Sequence, residues 1–219
     1  MFCDITMARS VLFVASFLKN DYTKTMNETK EKPTIAFVGD SITEGWGLAD
    51  WTRERFTTFV QAAFPQYDIL NFGSSGATLQ SQFDMGYTHT LAFQASQKAN
   101  RQHPFALLFV FLGANDVWQW TSEATFTSEY LALLDCYPDT PKVLVTPIPM
   151  NAGPYEHHKI EQIRQLIIQI GKKEHIPVLD LTTLSMKDGL SFDGVHPNVN
   201  GQKKIAEAII NYLNAHPIQ

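Results

Sequence analysis

The chain has 219 residues and a mass of 24.7 kDa, about one and a half times the size of a typical domain. Its composition, with 44% hydrophobic and 18% charged residues, is that of a folded globular protein and excludes a disordered, collagen-like or coiled-coil chain. The formal net charge is −5 and no cluster of Lys or Arg offsets it, which argues against nucleic-acid binding through phosphate neutralisation. The two cysteines, Cys3 and Cys136, are too few for a disulfide framework.

The N-terminal segment is the part of the sequence that fits a globular domain least well. No apolar run reaches the roughly 18 residues that a membrane span needs. The run at 11–18 is preceded by Asp4 and followed by the polar segment 19–22, which a secretory signal would not have. We therefore predict a cytoplasmic protein without a membrane span, with secretion through a degenerate signal as the alternative. Residues 1–33 are predicted to be a loosely ordered extension, with Met26 as a candidate translation start.

From residue 34 onward, short apolar runs alternate with helical patterns. The runs predicted as strands are 35–38, 67–72, 105–112, 142–146 and 176–181. The third consists of eight consecutive apolar residues, which is typical of a central strand buried on both faces.

Helical patterns fill the intervals between these runs. The predicted helices run from near Trp51 to before Pro65, through a polar stretch to about Arg101, and over 127–135, 156–173 and 199–213. The fourth is the most regular, since its isoleucines recur at three- and four-residue spacing. Strands separated by helices predict one α/β domain over 34–219, a three-layer α/β/α sandwich with a five-stranded parallel sheet.

Small, polar and ionisable residues collect directly after the predicted strands, where such sheets bind ligands. The segments are Gly-Asp-Ser at 39–41, Asn-Phe-Gly-Ser-Ser-Gly at 71–76, Gly-Ala-Asn-Asp at 113–116 and Asp-Gly-Val-His at 193–196. Each alone is compatible with an ordinary turn or helix cap. Together and in this order they resemble the four signature blocks of the SGNH (GDSL-type) hydrolases.

This resemblance implies a flavodoxin-like sheet and a role for each matching residue. It assigns Ser41 as the nucleophile, with Asp193 and His196 completing a catalytic triad. It assigns Ser41, Gly73 and Asn115 as the donors of an oxyanion hole. The chemistry is consistent with the residues themselves, because a serine hydroxyl needs a neighbouring base and an Asp three residues before a His can reach its second ring nitrogen.

Other polar residues of these blocks are predicted to have structural roles. Asp40 and Asp116 are expected to hydrogen-bond the loop backbone around the site. The pair His157 and His158 lacks the spacing of a metal-binding helix, so no metal is predicted, and no motif implies a cofactor.

The substrate is indicated less directly than the chemistry. Trp46, Trp118 and Trp120 lie close in sequence to the proposed blocks and are candidate substrate-binding residues, since aromatic faces suit sugar rings and acyl chains alike. The blocks most resemble those of carbohydrate esterases, so we predict a serine esterase that removes short acyl groups, chiefly acetyl, from a small-molecule or oligosaccharide ester. A lysophospholipase or thioesterase of the same family is the first alternative, and a non-catalytic flavodoxin-like binding module the second. The sequence indicates no oligomeric state.

Overall fold

Five parallel strands form one sheet at the centre of the structure, in the order β2-β1-β3-β4-β5. They are β1 (Thr34–Gly39), β2 (Asp68–Gly73), β3 (Leu107–Phe111), β4 (Lys142–Val145) and β5 (Val178–Leu179). This computed structural model describes residues 31–82 and 84–218, so most of the predicted extension at 1–33, including Met26, lies outside the described residues. The part from Pro33 onward is one compact unit. The predicted parallel sheet is confirmed.

Helices cover both faces of this sheet. In the described part of the chain they are α1 (Ser41–Glu44), α2 (Trp51–Glu54), α3 (Phe56–Ala63), α4 (Leu91–Gln102), α5 (Glu123–Asp135), α6 (Pro154–Glu174) and α7 (Val199–Ala215). Helix α3 packs against α7 on one face, and α5 packs against α6 on the other. The three-layer α/β/α sandwich is therefore confirmed, with the flavodoxin-like strand order.

Aromatic rings join the sheet to the α3–α7 layer. Phe37 of β1 and Phe109 of β3 stack with their ring centroids 4.7 Å apart. Phe37 also makes an edge contact with Phe56 of α3, and Phe109 makes one with Tyr212 of α7. Because the residues of β3 are all buried, the middle of the sheet is enclosed on both faces, as the apolar run predicted.

The predicted helix from Trp51 to Pro65 is interrupted at Arg55, whose backbone is extended with ψ 152°. The Phe56 N–H does not bond within α2 but donates to Gln202 Oε1 at 2.8 Å. Gln202 lies on α7, 146 residues further along the chain. The break therefore depends on a tertiary contact that the local pattern does not contain.

Two other boundaries differ from the sequence prediction for local reasons. Helix α5 begins four residues earlier than predicted because Ser122 Oγ accepts the Thr125 N–H and caps it. Strand β5 covers two residues of the predicted run 176–181. The ends of that run bond elsewhere: the Ile176 N–H donates to the carbonyl at the end of α6, and the Leu181 N–H donates to Thr146 Oγ1.

We predict that Gln202→Leu lowers the free energy of unfolding by about 3 kcal/mol, because it leaves two buried backbone groups without a partner. These groups are the Phe56 N–H and the Ile42 carbonyl, which accepts from Gln202 Nε2 at 3.1 Å. Urea denaturation measures the change, and Glu207→Ala on the exposed face of the same helix is the matched control. Equal stabilities of the two variants would contradict the prediction.

Candidate active site

The candidate site lies at the carboxyl ends of β1 and β3, where the chain reverses its direction of travel across the sheet. Ser41 is the first residue of α1, two positions after the end of β1. Asp40 caps this short helix, since its Oδ1 accepts the Ile42 N–H at 2.9 Å. Gly45 ends the helix with φ 93°, a left-handed conformation that favours glycine.

A chain of hydrogen bonds joins three of the predicted residues. Ser41 Oγ lies 2.9 Å from His196 Nε2, and His196 Nδ1 lies 2.7 Å from Asp193 Oδ2. Ser41 and His196 are 155 residues apart in sequence. The fold thus brings the predicted nucleophile, base and acid into hydrogen-bonding sequence, with the two ring nitrogens of the histidine bonded to different partners.

The loop that carries Asp193 and His196 is held by the Asp193 side chain and by a backbone bond to Asn151. Asp193 Oδ1 accepts the N–H groups of Val195 at 2.9 Å and His196 at 3.0 Å. Gly194 between them has φ 71°, and its carbonyl accepts the Asn151 N–H at 2.7 Å. Partial burial of Asp193 opposes its ionisation, but the hydrogen bonds from Val195 and His196 outweigh burial and hold its pKa below the usual range. Asp193 therefore remains a carboxylate beside the imidazole.

Asn115 follows β3 at the start of a short 3-10 turn, Asn115–Val117. Its side-chain Nδ2 donates one hydrogen to the Ala77 carbonyl at 2.9 Å. An amide NH₂ has two hydrogens, so the second is available to another acceptor. The neighbouring Asp116 is buried and accepts the N–H groups of Leu79 at 2.8 Å and Gln80 at 2.9 Å. Asp116 thereby fixes the segment whose carbonyl orients Asn115.

The structure gives Gly73 a different role from the one predicted. The Gly73 N–H donates to Asn71 Oδ1 at 3.0 Å, so this donor already has a partner. A Cβ at position 73 would lie 2.2 Å from the Glu44 nitrogen, so a glycine is needed here for β2 to approach α1 closely. Gly73 therefore supports the segment that carries Ser41.

The sequence analysis did not single out Gly76. The N–H groups of Ser74, Ser75 and Ala77 all have acceptors in the structure. Within residues 31–82 and 84–218, the Gly76 N–H has none, and Gly76 adopts φ 76°. Its neighbour Ala77 accepts from Asn115, so a free donor lies close to the Asn115 amide. The sequence feature that could have indicated this donor is the second glycine of Gly-Ser-Ser-Gly at 73–76.

The three tryptophans proposed for substrate binding have different environments. The Trp46 ring lies on His196, with centroids 4.3 Å apart, and is 49% exposed. Trp118 is similarly exposed. Trp120 instead packs against Phe126 at 5.6 Å and lies under Lys159 Nζ at 4.3 Å, joined to the hydrophobic core. The structure therefore links Trp46 directly to the candidate site and gives Trp120 a packing role.

Two further sequence features can be placed. His157 Nε2 lies 3.0 Å from the Met150 carbonyl, a contact within its own segment. No group of three or more His, Cys, Asp or Glu side chains in the described residues is arranged to hold a metal ion. The helices of the described part also include none that is long and apolar enough to cross a membrane.

The fold and site geometry agree with the comparison to known families. A profile of the GDSL-like Lipase/Acylhydrolase family matches residues 37–204. The chain therefore belongs to this family. This family membership agrees with the four ordered blocks of the sequence.

Individual relatives are more distant. An acetylxylan esterase of Xylanibacter ruminicola is 26% identical over 204 residues, a match that covers 80% of this chain and 42% of that protein. The chain thus spans less than half the length of this curated relative. Among solved structures, the M. smegmatis aryl esterase has a TM-score of 0.70 at 17% identity, covering 84% of this chain and 99% of the other. Est24, a carbohydrate acetylesterase from Sinorhizobium meliloti, has a TM-score of 0.67 at 18% identity with the same coverage. These two likenesses show the shared fold.

We predict a pH dependence of stability that originates at Asp40. Burial, reinforced by the nearby Asp116, raises the pKa of Asp40 to about 7. Between about pH 4 and pH 7 the native protein keeps a proton that the unfolded chain releases, so the free energy of unfolding falls as the pH rises through this window. Asp40→Asn preserves the cap acceptor but lacks this decline. From pH 5 to pH 8 the wild type should lose about 3 kcal/mol more than Asp40→Asn in urea denaturation.

Asp68→Asn is the matched control for this experiment, because it makes the same chemical change at an exposed carboxylate. Its stability should follow the wild type at both pH values. Parallel pH curves for the wild type and Asp40→Asn would contradict the prediction.

Proposed function

We propose that the protein is a serine esterase that removes small acyl groups, chiefly acetyl, from the hydroxyl groups of a carbohydrate. The observation that carries this proposal is the hydrogen-bond chain Ser41–His196–Asp193, with distances of 2.9 and 2.7 Å, in a member of an ester hydrolase family. A nucleophile bonded to a base that a third group orients is the usual arrangement for covalent acyl transfer.

In the first step Ser41 Oγ attacks the ester carbonyl carbon while its proton passes to His196 Nε2. The tetrahedral intermediate collapses by breaking the bond to the alkoxy oxygen, which takes the proton from His196 and leaves as the free alcohol. Asp193 stays ionised throughout and stabilises the imidazolium that forms between these transfers. The acyl group is then attached to Ser41.

The second step repeats the sequence with water. His196 accepts a proton from the water as its oxygen attacks the acyl-enzyme carbonyl, and returns the proton to Ser41 Oγ as the C–O bond breaks. The carboxylic acid is released and the hydroxyl of Ser41 is restored. The reaction needs no group beyond these three side chains, water and donors for the developing oxyanion.

We infer that the oxyanion accepts hydrogen bonds from three donors: the Ser41 N–H, the Gly76 N–H and the second hydrogen of the Asn115 amide. Ser41 is the first residue of α1, and the first N–H groups of a helix have no acceptor within it, so the Ser41 N–H is available to the oxyanion. Gly76 replaces Gly73 in this role because the Gly73 N–H donates to Asn71. The Ala77 carbonyl orients Asn115 toward the same loop.

The choice of a carbohydrate acetyl ester is supported by the name of the acetylxylan esterase relative and by the fold shared with a carbohydrate acetylesterase. It is also supported by the exposed Trp46 ring beside His196. The alternative of a lysophospholipase or thioesterase keeps the same chemistry with a longer acyl group.

We predict that Ser41→Ala abolishes ester hydrolysis and labelling by a fluorophosphonate. The substitution removes only the hydroxyl of Ser41. The backbone N–H that is proposed to donate to the oxyanion is kept. Incubation with the probe followed by intact-mass measurement checks this. Asn198→Ala changes a helix cap near the triad and should remain labelled, although less stable. Retention of hydrolysis by Ser41→Ala would overturn the mechanism.

We predict that Asn115→Ala lowers kcat by about 10²- to 10³-fold, the usual effect of losing one oxyanion donor. KM should change little, because the ground-state carbonyl uses this donor weakly. Steady-state kinetics on p-nitrophenyl acetate measure both quantities. A kcat within a few-fold of the wild type would remove Asn115 from the oxyanion hole.

We predict that acetyl and propionyl esters are the best substrates in a series of p-nitrophenyl esters of increasing acyl length. The acetylxylan esterase relative and the carbohydrate acetylesterase of similar fold are both named for acetyl esters, which favours a small acyl group here. Comparison of kcat/KM across the series is the measurement. A maximum at eight or more carbons would favour the lysophospholipase or thioesterase alternative.

A further inference from the structure

A cleft opens beside the candidate triad and is not used by the mechanism above. Its walls come from the segment after Ser41 and from the loop after β2, and its lining residues include Glu44, Trp46, Leu48, Trp51 and Ser75. We call it the Trp46–Trp51 cleft. Its volume of ≈ 290 Å³ lies at the lower end of the range for small-ligand sites.

Two large aromatic side chains of this cleft are exposed to solvent. Trp46 is 49% exposed and Trp51 is 52% exposed. The Arg55 guanidinium lies over the Trp51 ring, with its central carbon 5.1 Å from the ring centroid. Both rings line the same cleft, and exposed apolar side chains grouped in one place mark an interaction site more often than scattered ones do. The cleft therefore offers flat, fixed apolar faces to a ligand.

Hydrogen-bonding groups lie in the same cleft. Glu44 Oε2 accepts the N–H of Ser75 at 2.9 Å and also its hydroxyl. Glu44 Oε1 has no hydrogen-bond donor among the described residues, so it can accept one from a ligand. A carboxylate is costly to cover with an acyl chain, which offers no donor, but it suits a ligand that carries hydroxyl groups. The combination of indole faces with a carboxylate acceptor matches a sugar ring, which presents C–H groups on its face and hydroxyl groups at its rim.

The position of the cleft identifies which part of an ester would occupy it. The Trp46 ring contacts the ring of His196 at a centroid distance of 4.3 Å. In the proposed mechanism His196 gives its proton to the departing alcohol, so the alcohol must lie next to this imidazole. A ring seated against Trp46 is therefore on the alcohol side of the scissile bond.

We propose that the Trp46–Trp51 cleft is a subsite for the sugar ring that carries the ester, with Trp46 and Trp51 contacting its face and Glu44 Oε1 accepting one of its hydroxyl groups. This inference rests on the proposed function and specifies how the alcohol is recognised. Among the described residues, no hydrogen bond or ring contact joins Trp51 to the triad. We therefore expect Trp51 to affect the choice of alcohol and not the chemistry at the acyl group.

The test compares two acetyl esters that differ in their alcohol: ethyl acetate, whose alcohol has no ring to occupy the cleft, and acetylated xylo-oligosaccharides. Trp51→Ala should lower kcat/KM for the oligosaccharide by about tenfold or more, mainly through KM, and should change kcat/KM for ethyl acetate by less than about twofold. Trp51→Phe should recover part of the loss because it restores an aromatic face. Tyr155→Ala, which removes an exposed aromatic ring that does not line the cleft, is the matched control and should leave both substrates unaffected.

A second measurement separates the subsite from the activity. Calorimetric titration of the Ser41→Ala protein with unacetylated xylo-oligosaccharide should show binding that is lost on adding Trp51→Ala. If the wild type cleaves the sugar ester and Trp51→Ala cleaves it equally well, the subsite is overturned while the proposed esterase stands. If the wild type cleaves no ester, the proposed function is overturned, and Trp51-dependent oligosaccharide binding would still support the subsite.

Discussion

The pairing of β1 between β2 and β3 is the constraint on which the site depends. In a parallel sheet all strands end at the same edge, and the chain changes its direction of travel on either side of β1. The residues that follow these strands must therefore meet, although they are far apart in sequence. Ser41 after β1, the Gly73–Ala77 loop after β2 and Asn115 after β3 are brought together by this rule alone.

Buried carboxylates hold the loops at this edge. Asp40 caps the helix of Ser41, and Asp116 fixes the segment next to Asn115. Burial raises the pKa of both groups, which is a cost in stability that the hydrogen bonds to loop N–H groups partly offset. The geometry of the site is thus maintained by carboxyl groups whose ionised form would be more stable in water than in the protein interior. Ionisable groups with shifted pKa values are typical of functional sites.

The sequence was sufficient to predict the strands, the layer architecture and the residues of the hydrogen-bonded chain, because strand patterns are local and the blocks occur in a recognisable order. It was not sufficient for features that depend on distant contacts. The break at Arg55 requires Gln202 from the other end of the chain. Gly73 was assigned as an oxyanion donor because it is a glycine that follows a strand. Whether its N–H is available depends on where the Asn71 side chain lies, which the sequence does not contain. The Trp46–Trp51 cleft could not be predicted, because the sequence does not tell which aromatic side chains remain exposed.

Helix α7 has a consequence for how the sequence of this protein can diverge. Its cap, Asn198, lies two residues after His196, and one turn later Gln202 bonds the Ile42 carbonyl beside Ser41. A single rigid element therefore spans the distance between the nucleophile and the base. Residues 47–54, which include Trp51, make no hydrogen bond to this helix, so mutations can reshape that segment without altering that distance. If the proposed esterase and subsite hold, new alcohol specificities can evolve in that segment while the Ser41–His196 distance stays the same.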